Sequence, residues 1–123
     1  NIPAAVEAFS LAAKLDASDI EIRNNLGYTY VQAKDFNSAI DTLVDVIGMS
    51  PDRSSAWANL SDAFVRLDLI PAAEASLRLT VRYSTDRQKT AAFLLKIIEF
   101  HEIDSFKEIA RRVFQGMDAI PQR

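Results

Sequence analysis

Cysteine is absent from the 123 residues, so disulfides and thiolate metal sites are excluded and the redox compartment cannot be read. Glycine and proline are scarce, at 3 and 4, which argues against a turn-rich all-β fold. The three glycines are isolated, so no glycine-rich loop can cradle a phosphate. No apolar run approaches the roughly 20 residues of a membrane span, so no membrane insertion is expected. Histidine occurs once, as His101, and the stretch His101-Glu102-Ile103-Asp104-Ser105 lacks the second His of a zinc-protease helix. A serine triad would have only His101 as its base, so His101 reads as a residue at a helix C-terminus beside a turn. Strong charge of one sign is missing too. The net charge of −3 speaks against a nucleic-acid binder.

What is present is ordinary globular composition, 49% hydrophobic and 25% charged, in a length that fits one domain. The charge is uneven. Residues 1–62 hold nine acidic and four basic side chains, residues 63–123 eight and ten. The basic half is interspersed with acids, as on a solvated helical surface. Asn1 is not Met and no basic-then-apolar leader follows, which reads as a start set by processing or by choice of boundaries.

The apolar pattern returns at an offset of 34 residues. Ala5, Ala39 and Ala73 align, as do Phe9, Leu43 and Leu77, then Leu26, Leu60 and Leu94, then Tyr30, Phe64 and Ile98. Small Gly27 and Ser61 align, with Leu95 third, and Asn25 and Asn59 align, with Phe93 third. Within each period the spacing is helical: Ile22, Leu26, Tyr30 and Ala33 lie on one face, and Phe36, Ala39, Ile40, Leu43, Val44 and Ile47 on another. Gly48 and Pro51 supply stop signals, and Ser18 with Glu21 predicts a capping box. Pro71 suits a first helical turn, and Asp86 and Asp104 suit N-caps. The spacing predicts seven helices, at 3–15, 20–33, 36–48, 54–67, 71–83, 87–101 and 104–116. Each period is thus two antiparallel helices that cannot bury their apolar faces alone and must stack on neighbours.

Trp57, Leu60, Ser61, Phe64, Ala73 and Leu77, preceded by Leu26, Gly27, Tyr30, Ala39, Leu43 and Pro51, make the chain resemble the tetratricopeptide repeat family. Arg23 departs from the pattern at the Trp position. The resemblance implies an all-α, right-handed solenoid of about three and a half units in a single domain, 1–123. Residues 1–19 would be the second helix of a partial unit, 20–53 and 54–87 full units, and 88–117 a divergent last unit. Gly27 and Ser61 would let paired helices approach closely, facing Ala39 and Ala73. Leu95 in that position would hold the last two helices apart, and the stripe Phe106, Ile109, Ala110, Val113, Phe114 and Met117 fits the repeat only after a shift of at least one residue.

The resemblance further implies a concave groove lined by the first helix of each pair. The residues there would be Asn24, Asn25, Tyr28 and Gln32, then Asn59, Asp62 and Arg66, then Lys89, Phe93, Lys96 and Phe100. An Asn amide both donates and accepts, so Asn25 and Asn59, one period apart, could hold a peptide main chain or else tie neighbouring helices. The family's carboxylate clamp is matched only at Asn59 and Lys89, so clamp-type binding is not expected. Asp41 and Asp45 read as a solvated pair, and the sequon Asn59-Leu60-Ser61 as a chance match inside a helix.

The function implied is a protein-interaction scaffold that takes an extended peptide or a partner helix, with no catalysis and no cofactor. The competing reading is an internal segment of a longer solenoid, with a second copy or further repeats stacking on its ends. The loose repeats lean toward a soluble bacterial protein of cytoplasm or periplasm, with compartment left open.

Overall fold

The computed structural model describes residues 1–117; residues 118–123, the end of the expected 1–123 domain, lie outside it. Its helices are α1 (Ile2–Leu15), α2 (Ile20–Gln32), α3 (Phe36–Met49), α4 (Ser54–Arg66), α5 (Ile70–Arg82), α6 (Arg87–Phe100) and α7 (Asp104–Gln115). Each boundary falls within one residue of the expected one, and no strand occurs among the described residues. None of these helices is long and apolar enough to cross a membrane. Sequence neighbours pack on one another and α2 also touches α4, which makes an all-α helical-repeat solenoid.

Short polar side chains start four of the helices by accepting from an otherwise unpaired backbone N–H. Asn1 caps α1 through Ala4, Asp19 caps α2 through Ile22, Asp35 caps α3 through Ser38 and Asp86 caps α6 through Lys89, at 3.1–3.2 Å. Two expectations need correction. The cap of α2 is Asp19 rather than Ser18, whose hydroxyl donates instead to Asp16 at 2.7 Å. Asp104 is the first residue of α7 and not its cap, because Ile103 occupies that place. Gly48 lies inside the last turn of α3, which stops at Ser50 ahead of Pro51.

The 34-residue period extends to backbone detail. The α2–α3 and α4–α5 turns place Lys34 (φ 63°) and Asp68 (φ 59°), one period apart, in the left-handed region. Both turns close with the same bond: Asp35 N–H donates to Tyr30 O at 3.0 Å, and Leu69 N–H to Phe64 O at 2.9 Å. Trp57 Nε1 donates to Pro51 O at 2.8 Å, and Arg23 Nε donates to Ala17 O at the same distance. Arg23 therefore makes the hydrogen bond that Trp57 makes one period later.

Packing follows the same rhythm. Ala39, Leu43, Val46, Ala56, Leu60 and Ala63 form one buried cluster between α3 and α4, with Trp57, Tyr30 and Phe64 packed on it. Gly27 is the site of closest approach between α2 and α3: a Cβ there would lie 2.5 Å from Leu43 Cγ and Cδ2. The side chain that closes on Gly27 is thus Leu43 and not Ala39. Ser61 is fully buried and donates its hydroxyl to Ala58 O at 2.6 Å.

The last pair breaks the pattern, for a different reason than expected. Leu95 does not wedge α6 from α7; it faces solvent. The break lies in the α6–α7 turn, where His101 is extended (φ −67°, ψ 140°) and Glu102, one period after Asp68, is not left-handed. Leaving this turn, α7 buries Phe106, Ile109, Ala110 and Val113 against α5 and α6, while α6 touches α5 only lightly. In the earlier register Lys107 and Arg111 would replace Ala73 and Leu77 in the core. Moving the buried face back one residue rotates the helix by about 100° and keeps those charges out. The expected one-residue shift is therefore present.

Candidate functional site

The first helices of the three pairs line one side of the stack, and a cleft of about 350 Å³ opens between them. Tyr28 comes from α2, Ala58, Asn59 and Asp62 from α4, and Phe93, Lys96, Ile97 and Phe100 from α6; His101 and Phe106 close the end. Six of the expected groove residues thus converge: Tyr28, Asn59, Asp62, Phe93, Lys96 and Phe100. Phe100 stands at the lip with 77% of its surface exposed. Such an aromatic has no packing reason to be there.

The other five are placed differently. Asn24 is buried and its Nδ2 donates to Ser55 Oγ at 3.0 Å, tying α2 to α4. Asn25 is exposed and does not line this cleft, whereas Asn59 does. Gln32 donates to Tyr28 Oη at 3.1 Å and acts through that ring. Lys89 is exposed at the start of α6, outside the cleft. Arg66 stands behind the wall, with Nε donating to Asp62 at 3.1 Å and another nitrogen paired with Glu102. The sequon lies within α4, with Leu60 and Ser61 buried.

His101 is the residue the sequence reading missed. It does cap α6, as expected, but it also bridges α4 to the α6–α7 turn. Its Nδ1 accepts from Ile103 N–H at 3.1 Å, so in the neutral ring Nε2 carries the proton and faces Asp62 Oδ1 at 3.3 Å. The ring meets Phe106 edge-on at 4.8 Å and 79°. Both nitrogens are engaged, and the imidazole serves as a strut.

The Asp62 carboxyl feels two opposed influences. Burial raises its pKa, but the hydrogen bonds from His101 and Arg66, with the Arg66 charge, outweigh this and hold it below its ordinary value. Glu74 is also lowered, first by its hydrogen bond from Arg112, which links α5 to α7. A carboxylate whose folded pKa lies below its unfolded one stabilises the fold above the unfolded value, near 4, and loses that contribution as pH falls through the folded value. The urea midpoint is therefore expected to fall steadily from about pH 5 downward. Asp62→Asn should flatten that fall, and an unchanged slope would show that the Asp62 contacts carry no stability.

Asn59 is half-buried, and its side-chain amide makes no hydrogen bond to other described residues. Lys96 is exposed and has no ion-pair partner among them. The cleft thus combines apolar and aromatic walls with unengaged polar groups. No protein-family model, curated protein or solved structure matched the chain.

Proposed function

We propose that the chain is a tetratricopeptide-type interaction module that holds an extended peptide or a partner helix in the cleft between α2, α4 and α6. The observation that carries this reading is the convergence of Tyr28, Phe93 and Phe100 around the unengaged Asn59 amide. Aromatics give side-chain pockets, and an amide that donates and accepts can hold a main chain. The repeated left-handed turn and the matched Trp57 and Arg23 hydrogen bonds support the family reading. Both nitrogens of His101 are engaged, so that imidazole serves as a strut of the binding cleft in this reading. A second reading, stacking on another copy or on further repeats, draws on α1, where Leu11 and Leu15 are exposed.

Selection from a displayed random-peptide library tests the first reading. Asn59→Ala should weaken selected peptides about two- to tenfold whatever their sequence, because the backbone is common to all of them. Phe93→Ala and Phe100→Ala should change which sequences are selected. Asn25→Ala should do neither. A library that enriches nothing over the Phe93→Ala/Phe100→Ala double variant, with helicity intact by circular dichroism, would reject the cleft as the site.

A further inference from the structure

A second cleft, of about 470 Å³, lies between α1, α2 and α3 and shares no residue with the first. Its origin is visible in the internal repeat. One period later, the positions of Ser10, Arg23, Asp41 and Asp45 are held by Val44, Trp57, Ala75 and Leu79. The later unit presents an apolar surface there, with the Trp57 indole packed on its own core. The earlier unit carries polar residues at these four positions, and the cleft opens beside them.

The polar groups are arranged rather than scattered. Arg23 is pinned at both ends, Nε donating to Ala17 O at 2.8 Å and Nη1 lying 3.5 Å from Asp45. Its guanidinium is therefore held in one orientation, and Leu26 and Tyr30 line the same cleft. Lys14 on α1 and Asp41 on α3 also line the cleft, and neither has an ion-pair partner among the described residues. The cleft thus brings an unpaired cation and an unpaired anion together with Leu26, Tyr30 and the held guanidinium.

We infer that this cleft is a binding site for a small aromatic zwitterion, an aromatic amino acid with free amino and carboxylate groups. The ring would lie against the Arg23 guanidinium, in the open part of the cleft between α1 and α3. The carboxylate would meet Lys14 and the ammonium Asp41. Neither group alone selects this ligand. A fatty acid would leave Asp41 unmatched, and a simple aromatic amine would leave Lys14 unmatched.

Ligand-observed NMR and calorimetry on the intact chain, with L-tryptophan as probe, test this. Ordinary ligand efficiency for a molecule of this size gives a dissociation constant on the order of 1 mM. Lys14→Gln and Asp41→Asn should each weaken tryptophan about three- to tenfold. Indole-3-propionate, which lacks the amine, should be insensitive to Asp41→Asn, and tryptamine, which lacks the carboxylate, insensitive to Lys14→Gln. Ala13→Leu, at a lining position, should fill the cleft and abolish binding. If that variant misfolds, Arg23→Lys, which keeps the charge but lacks the flat guanidinium, should weaken tryptophan more than it weakens a non-aromatic zwitterion such as L-alanine. Absence of saturable binding, or indole binding as tightly as tryptophan, would overturn the inference.

Discussion

Replacing Gly27 by leucine is expected to be among the most damaging single changes in the molecule. A Cβ alone would sit 2.5 Å from Leu43 Cγ and Cδ2, and Leu43 is itself fully buried between α3 and α4. The obstructing atoms belong to a packed core side chain, so they cannot swing into solvent. Overpacking of this kind costs about 1–3 kcal/mol, and a four-carbon side chain belongs at or above the upper end. Gly27→Ala should lose less, because alanine recovers about 1 kcal/mol of helix propensity while meeting the same contact. Ser61→Gly, at the equivalent place in the next unit, removes one hydrogen bond and some propensity, together about 1–2 kcal/mol. Denaturant midpoints for the three variants check the order. Equal losses for Gly27→Leu and Ser61→Gly would contradict close approach at Gly27.

Phe106→Ala should match that loss from the opposite end of the stack. Phe106 is the largest fully buried side chain among the described residues, packs edge-on against His101 and closes the first cleft. Truncating such a phenylalanine costs about 3–5 kcal/mol. Phe114→Ala is the informative control. Its counterparts in the preceding units, Val46 and Thr80, are buried, whereas Phe114 is 36% exposed because α7 is rotated. In the rotated register Phe114→Ala should change stability by no more than about 1 kcal/mol. In the regular register the two costs would be reversed. Urea denaturation of both variants distinguishes the registers, and peptide affinity should fall for Phe106→Ala alone.

The helices were readable because large apolar residues recur at steps of three and four, and because Asp19, Asp35 and Asp86 stand at their starts. The rotation of α2 was harder to read. Its buried residues include Asn24, Gly27 and Thr29, so hydrophobicity barely marks its inner face. Neighbouring residues on a helix differ by about 100°, and Asn24 and Asn25 accordingly go to different fates, one tied to Ser55 and one to solvent. The departure of α7 was visible only as a stripe out of step. Its cause, the extended backbone at His101, rests on contacts with Asp62 and Phe106 that join distant parts of the chain. The convergence of Asn59, Phe93 and Phe100 was legible because α4 and α6 keep one period, while the part played by His101 depends on the turn that breaks it.

The lone helix α1 has a consequence of another kind. It contains no fully buried residue and packs mainly on α2, whereas α7 buries four of its twelve residues. Opening α1 away from the stack therefore exposes little apolar surface and belongs at the low end of the molecule's local unfolding energies. Ser10, Ala13 and Lys14 form one wall of the second cleft, so that cleft exists only while α1 is docked. Any ligand seated there must draw on the docked fraction, and its apparent affinity is reduced in proportion to that fraction. By the same linkage an occupied cleft would hold α1 down, and amide exchange along Ile2–Leu15 would slow far from any contact with the aromatic cleft between α2, α4 and α6.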